Sequence, residues 1–382
     1  MNIILIILAL SLLIFIHEFG HFIFAKLFNV YCLEFSIGMG PALISKKTKK
    51  DKETTYSIRC LPIGGYVSMA GENTESDEEK QLEIPYQRTI NGINPWKRAI
   101  ITIAGVTFNF IFALILLAIF SFGNGVPTND NKITVTENSI AQKGQLSSGD
   151  KIVAVKNIRV KSSGNIIYED QDCINIRCET RYFSSFKTYL DNDQLKDAVN
   201  EYAKTNPNST IEQEITVIFT HGEEEKTTIL NRTYNNETQT FPLLGISEAT
   251  RVPNFFEGIA LTFKRFGQIM ALMFQSIVSL FTPEGFNSLG GVVSMYQMST
   301  YTASQGFLSY VWYLAIISIN LGFFNLLPIP ALDGARFYIS IFEGITKKKL
   351  NPKVEGFMNM VGLVLLFGLM IVVTIKDIVG LF

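Results

Sequence analysis

The stretch HEFGH, His17 to His21, fits the pattern H-E-x-x-H. On a helix, positions i and i+4 share one face, so the two imidazoles can point at a single Zn²⁺. Glu18 sits beside that face, where it can act as general base on the attacking water of a metal-assisted hydrolysis. The chain has only 3 histidines in 382 residues, and two of them stand here. The plain alternative is a histidine pair satisfied by hydrogen bonds inside a helical bundle. The surroundings weigh against it: residues 14–24 read IFIHEFGHFIF, and ionisable groups in apolar segments are costly and mark function.

A catalytic metal needs a third protein ligand and one open position. The third histidine, His221, lies in the polar turn FTHGEEE, far from any apolar segment. Glu34 falls outside the apolar run and Glu53 lies in a charged loop, so neither supplies the ligand locally. Much later the chain reads NLGFFNLLPIPALDGARF, Asn320 to Phe337. Pro328, Pro330 and Gly334 break the helical pattern there, and irregular backbone at membrane depth is tolerated where it lines a cavity. Asp333 is the one carboxylate in the break. It can cap the following helix or serve as the missing ligand, and a two-histidine site without a third donor favours the ligand.

These residues need a scaffold, and composition says which kind. The chain is 47% hydrophobic and 18% charged, with 30 phenylalanines and a mean hydropathy of +0.23. An average soluble chain is about 25% charged, so a membrane protein is indicated. A net charge of −1 offers no basic excess to neutralise phosphates, which excludes nucleic acid as a partner. Spans are expected at 3–27, 97–122, 306–327 and 357–378, each near the roughly 20 residues that cross a bilayer core. The first begins like a signal peptide but has no basic region before it and no small-residue cleavage site inside it, so it reads as a retained span. Residues 254–281 are interrupted by Lys264, Arg265 and Gln268, the pattern of an amphipathic helix lying on the membrane. From Lys26 back to His17 is nine residues, which puts the metal site roughly 13 Å into the bilayer. Water must then reach it through a polar cavity, for which residues 325–334 are the expected lining.

Charge in the loops gives orientation. KKTKKDK (Lys46–Lys52) follows the first span, and Lys347, Lys348, Lys349 and Lys353 lie between the third and fourth. The positive-inside rule makes both loops cytoplasmic and puts residues 123–305 on the other side. Between the first two spans, residues 31–71 carry short alternating segments with glycine turns, expected as a β-hairpin or small sheet.

HEFGH followed far downstream by NLLPIPALDG is similar to the site-2 protease family (M50) of intramembrane zinc metalloproteases, most closely its bacterial RseP-type branch. The resemblance covers most of the chain. It implies that His17, His21 and Asp333 bind Zn²⁺, that Glu18 is the catalytic acid and base, and that Asn320 and Asn325 hold the substrate backbone. It also implies a membrane-associated sheet whose Gly38-Met39-Gly40 element lies near the catalytic helix, with Gly38 and Gly40 as candidate substrate contacts. A free sheet edge could pair with an unwound substrate by strand addition; a hairpin that only plugs the bundle is the alternative. AGVTFNF (Ala104–Phe110) opens the second span, where Gly105 allows close helix approach and Asn109 offers an interhelical hydrogen bond. It resembles the family's Ala-Gly-Pro-x-x-Asn-Phe with Val106 in place of proline. LGGVVSM (Leu289–Met295) likewise departs at Val292 and Ser294 from a related family stretch.

Residues 123–250 resemble one PDZ domain: a Gly149-Asp150 turn into a strand, a helical DNDQLKDAVNEYA and a final hairpin. Residues 161–190 look like an insertion and hold Cys173 and Cys178, whose pairing the spacing leaves open; Cys32 and Cys60 read as ordinary thiols. The expected architecture is thus a polytopic α-helical membrane protein of about four spans with a membrane-associated β-hairpin or sheet and one extracytoplasmic PDZ-like α+β domain. The domains fall at 1–122, 123–250 and 251–382. The expected activity is zinc-dependent endoproteolysis of membrane-spanning proteins, such as anti-sigma factors or remnant signal peptides, in a bacterial cytoplasmic membrane. The active site would face the cytoplasmic side, and a substrate C-terminus could meet the PDZ-like domain. A non-catalytic PDZ scaffold with a structural metal is the alternative, but such a site has no use for Glu18. A metal transporter fits less well, since one two-histidine site offers no ion path.

Overall fold

The computed structural model describes residues 2–49, 51–72, 83–128, 132–170, 174–175, 190, 192–207, 209–235, 240–279, 282 and 290–379. They form two compact units, Met1–Gly123 with Asn254–Phe382, and Asn124–Pro253.

Helix α1 (Asn2–Leu27) carries apolar residues on every side, interrupted by His17, Glu18 and His21 and ending at Lys26, the pattern of a helix that needs no watered face along most of its length. Strands β1 (Cys32–Lys47) and β2 (Thr55–Met69) follow as an antiparallel pair. Both strands bend, so Glu34–Ile37 pairs with Gly65–Ser68 and also with Thr55–Ile58, while Ala42–Lys47 pairs with Thr55–Arg59. Two strands therefore make four passes. The sheet leans on α1: Gly64 N donates to Ser11 Oγ at 3.3 Å, Ser11 Oγ donates to Pro62 O, and Phe22 packs on Phe35 with ring centroids 4.7 Å apart. At the foot of α1, Lys26 meets Asp51 at 2.9 Å, and Arg88 meets Glu53 at 2.8 Å. Cys32 is buried and Cys60 exposed, both as free thiols. Helix α2 (Pro95–Asn124) starts with proline at its first position, where no N–H is needed, and Asn94 Oδ1 accepts from Trp96 N at 2.9 Å.

The second unit contains β3 (Val126–Pro127), β4 (Ile133–Val135), the single turn α3 (Ile140–Lys143), β5 (Lys151–Ser162), β6 (Asn165–Asp170) and β7 (Ile174–Asn175). It continues with α4 (Asp193–Thr205), β8 (Ile211–His221), β9 (Glu224–Thr233), β10 (Ile246–Glu248) and β11 (Thr250–Arg251). The main sheet runs β6-β5-β8-β9, with β7 also on β5. Every second residue of β8 is buried, the period of a strand with one face on a core. Val155, Ile158, Ile215 and Val217 fill that core together with Leu195 and Val199 of α4. From Asp193 on, the segment expected to be helical forms α4, capped by Asn192, whose side chain accepts from Gln194 N. Of the insertion 161–190, residues 165–170 form β6; Cys173 and Cys178 lie outside the described residues.

The chain re-enters the first unit with α5 (Phe255–Ser279), α6 (Val292–Ser304), α7 (Phe307–Leu326), α8 (Asp333–Thr346) and α9 (Pro352–Val379). Helix α5 buries Ile269 against Leu117 of α2 and Ala315 and Ile319 of α7. Its Arg265 donates to Ser121 Oγ of α2 at 2.8 Å. One face of this amphipathic helix is therefore covered by protein. Helix α6 has no clear sequence signal. It is capped from a distance by Asp377 of α9, whose carboxylate accepts from Gly291 N at 2.8 Å and Ser294 N at 3.1 Å. Among the described residues, four helices are long and apolar enough to cross a membrane: Ile4–Leu27, Pro95–Asn124, Phe307–Leu326 and Lys353–Asp377. The apolar side chains of α9 are largely exposed, including Leu363, Val364, Leu365 and Phe367, and a contiguous exposed apolar face of this kind marks a contact surface such as a membrane.

Candidate metal centre and active site

Helices α1 and α8 bring three donor atoms together. His17 Nε2 lies 2.8 Å from Asp333 Oδ2, and His21 Nε2 lies 3.2 Å from the same oxygen. The two Nε2 atoms are 3.2 Å apart. Both histidines are 6% exposed. Donors held by one ion at about 2.0–2.1 Å in a tetrahedron stand roughly 3.3 Å from one another, so the triangle has the right size for one divalent metal. Among the described residues it is the one cluster of His, Cys, Asp or Glu donors of this kind.

Each member is oriented by its element. The His21 ring is turned by Ile101 of α2: its Nδ1 donates to the Ile101 carbonyl at 2.8 Å. A carbonyl only accepts, so a neutral His21 presents a bare Nε2 lone pair to the triangle, as a metal ligand must. Asp333 is the first residue of α8, and the capping position falls on Leu332 with no side-chain cap. Its carboxylate goes to the histidines instead. The break 327–332 makes this possible, with Ala331 held at φ 74° and its N–H donated to Asn359 Oδ1 at 3.1 Å. Gly334 lets α8 begin directly under the end of α7, because a Cβ there would run into the carbonyls of Leu326 and Leu327.

Glu18 reaches the same place from α1. Its Oε2 accepts from Val67 N of β2 at 3.2 Å, so an outward-facing N–H of the sheet edge fixes one carboxylate oxygen. A cavity of about 620 Å³ borders Glu18, His21 and Asp333. Its walls include Val67, Met69, Glu72, Arg98, Arg336 and Asn359. Of residues 325–334, Asp333 borders this cavity. The first turn of α8 also brings Arg336 to its wall, ion-paired to Glu72. Burial opposes the charge on Arg336, but the nearby carboxylates, Glu72 foremost, raise its pKa above the ordinary guanidinium value.

The other candidate residues are placed as follows. Asn320 and Asn325 lie on α7, partly buried, and Asn320 Oδ1 is buried without a hydrogen-bond partner among the described residues. Neither borders the cavity. Gly38 and Gly40 sit on β1 with φ +85° and +83°, backbone that glycine adopts freely, and also lie away from the cavity wall. His221 belongs to the second unit, where its Nδ1 is 2.6 Å from Asp150 Oδ1. Sequence reasoning did not single out Val67, Ile101 or Arg336 for the site. Val67 and Ile101 act through backbone atoms, which carry no side-chain signal.

The sequence matches peptidase family M50 over residues 5–369. The chain belongs to this family. A protein of Clostridium acetobutylicum named "Putative zinc metalloprotease" is 35% identical over 99% of this chain and 97% of its own length. Similar too are "Probable protease eep" of Enterococcus faecalis, at 29% over 99% and 98%, and zinc metalloprotease RasP of Shouchella clausii, at 27% over 100% of both chains. As an M50 peptidase with four apolar helices of membrane-crossing length, the protein is a multi-pass intramembrane zinc metalloprotease.

Proposed function

We propose that this M50 peptidase hydrolyses peptide bonds within or beside membrane-spanning segments of other proteins, with zinc held by His17, His21 and Asp333. One observation carries the reading: two imidazole nitrogens and a carboxylate oxygen converge within 3.2 Å of one another beside Glu18, at a polar cavity. Zinc bound there would polarise the scissile carbonyl and acidify the attacking water. Glu18 has Oε2 held by Val67 N, which leaves Oε1 to take the proton from that water and pass it to the leaving amine.

A peptide must be extended to be cut, whereas a membrane segment arrives as a helix. The Val67 edge of the sheet faces Glu18, which supports strand addition as the means of holding an unwound substrate. Asn320, Asn325, Gly38 and Gly40 are assigned to the substrate backbone on the family resemblance of their stretches. The lysine loops support an active site towards the cytoplasmic side of a bacterial cell membrane. Residues 123–250 are then the single PDZ-like domain on the other side, between membrane halves 1–122 and 251–382. The main sheet packed against α4 supports that role, with a substrate's peptide C-terminus as its ligand.

The test is Glu18→Gln in the full chain, reconstituted with a single-span substrate. Zinc content should match the parent, and cleavage should fall by about a hundredfold or more. Undiminished cleavage by this variant would sink the assignment.

A further inference from the structure

The neighbouring helix α2 touches the metal centre along one face. Ile101, Gly105 and Asn109 follow one another at intervals of four residues, so they line a single stripe of the helix. Helix α1 runs antiparallel to this stripe, with its His21 at Ile101 and its His17 at Asn109. The approach is close because Gly20 of α1 faces Ala104 and Gly105: a Cβ on Gly20 would stand 2.6 Å from the Ala104 carbonyl oxygen and 3.1 Å from Gly105 Cα. The two histidines are thus served by two successive partners on one helix. His21 has the Ile101 carbonyl, and His17 has the Asn109 side chain, 3.1 Å from its Nδ1.

Asn109 is fully buried, and its two amide ends are not equivalent. With the amide nitrogen towards His17, the ring accepts at Nδ1 and carries its proton on Nε2, the atom that faces His21 and Asp333. In that orientation Asn109 Oδ1 is buried without a partner among the described residues. Turning the amide by half a rotation puts Oδ1 at the same place, where it accepts from Nδ1–H and frees the Nε2 lone pair. The first orientation leaves Oδ1 orphaned among the described residues, so the choice between the two is made at His17. A metal ligand needs the bare Nε2.

We propose that Asn109 is a positioning residue for the metal centre, accepting the Nδ1 proton of His17 through its side-chain oxygen just as the Ile101 carbonyl accepts that of His21. The inference rests on His17 being a zinc ligand. It gives α2 a defined duty: one backbone and one side-chain acceptor on a single face set the tautomer and ring plane of both histidines. Asn109 touches neither substrate nor the reacting atoms, and acts only through His17.

The experiment is zinc affinity of the full-length protein in detergent, measured by competition with a chromogenic chelator, for Asn109→Leu, Asn109→Asp and His17→Ala. A leucine of similar size removes the acceptor and should weaken zinc binding by about ten- to a hundredfold. An ionised aspartate can only accept, so Asn109→Asp should bind zinc at least as tightly as the parent. Thermal unfolding of the zinc-free proteins separates this from a mere interhelical bond, which would lower stability in Asn109→Leu while leaving zinc affinity unchanged. Parental zinc affinity in Asn109→Leu, or loss in Asn109→Asp, overturns the proposal. If Asn109→Leu does not accumulate, Asn109→Ala, which also removes the acceptor but adds no bulk, is read in its place with the same two outcomes. His17→Ala distinguishes the two levels: retained zinc there removes His17 as a ligand, whereas lost zinc there with an unaffected Asn109→Leu removes only the role of Asn109.

Discussion

Gly105 is the point at which the smallest change should do the most damage. A Cβ at this position would stand 2.8 Å from Cε1 of both His17 and His21, and closer still to His21 Nε2 itself. Ordinary carbon contacts begin near 3.4 Å, so the rings fall short by roughly 0.6 Å, about three times the tolerance of a metal–ligand distance. His21 cannot simply retreat, because Ile101 holds its far side at 2.8 Å. Two opposing energies can be set against each other. Replacing glycine with alanine inside a helix gains about 1 kcal/mol, while overpacking a filled site costs about 1–3 kcal/mol. Gly105→Ala should therefore leave the zinc-free protein at or below parental stability and weaken zinc binding by about tenfold or more. Thermal unfolding without metal and chelator competition with it, both on the full chain, read the two effects separately. A variant that is more stable than the parent and binds zinc equally well would refute the reasoning, since it would show open space at the helix contact.

Two further outcomes follow from ion pairs outside the metal site. Arg98 and Glu343 are ion-paired, with side chains 14% and 5% exposed, so Arg98→Met strands a buried carboxylate and should cost about 3–5 kcal/mol. The double variant Arg98→Met, Glu343→Met should recover part of that loss in thermal unfolding, and no recovery would mean that the two side chains act independently. Burial raises the Asp51 carboxyl pKa, but hydrogen bonds from Lys26 and from the backbone of Thr54 and Glu53 more than offset this, leaving it well below the usual range. A depressed folded-state pKa stabilises above the unfolded value of about 4 and is lost as the pH falls through the folded value. Melting temperatures from pH 7 down to pH 3 should thus fall less steeply for Asp51→Asn than for the parent, and parallel slopes would remove Asp51 from this role.

Much of the architecture was legible because a membrane imposes its own grammar. Four apolar runs of membrane-crossing length appear as α1, α2, α7 and α9. The glycine-rich segment between the first two spans appears as the β1–β2 sheet. HEFGH was readable because both histidines belong to one helix, whose period fixes their shared face. Helix α6 was not, since its capping carboxylate, Asp377, lies more than eighty residues downstream. The walls of the cavity beside the metal centre were not legible for a similar reason. A chain break announces irregular backbone, but which side chains wall the resulting cavity depends on what packs opposite, here the end of β2 and the start of α2. The four-residue spacing of Gly105 and Asn109 was visible as an interhelical contact, yet nothing local shows that it faces the histidines.

The sequence by itself determined the membrane class, the two-histidine helix with its carboxylate, and the late break that ends in Asp333. Local pattern suffices for these because each is a property of one segment. Only the tertiary structure decided that Asp333 Oδ2 stands 2.8 Å from His17 across 316 residues of chain, that Val67 holds Glu18, and that one face of α2 serves both imidazoles. Those facts depend on how closely α1 can approach α2 and where α8 begins, and contact distances between separate helices are set by packing that no single segment encodes.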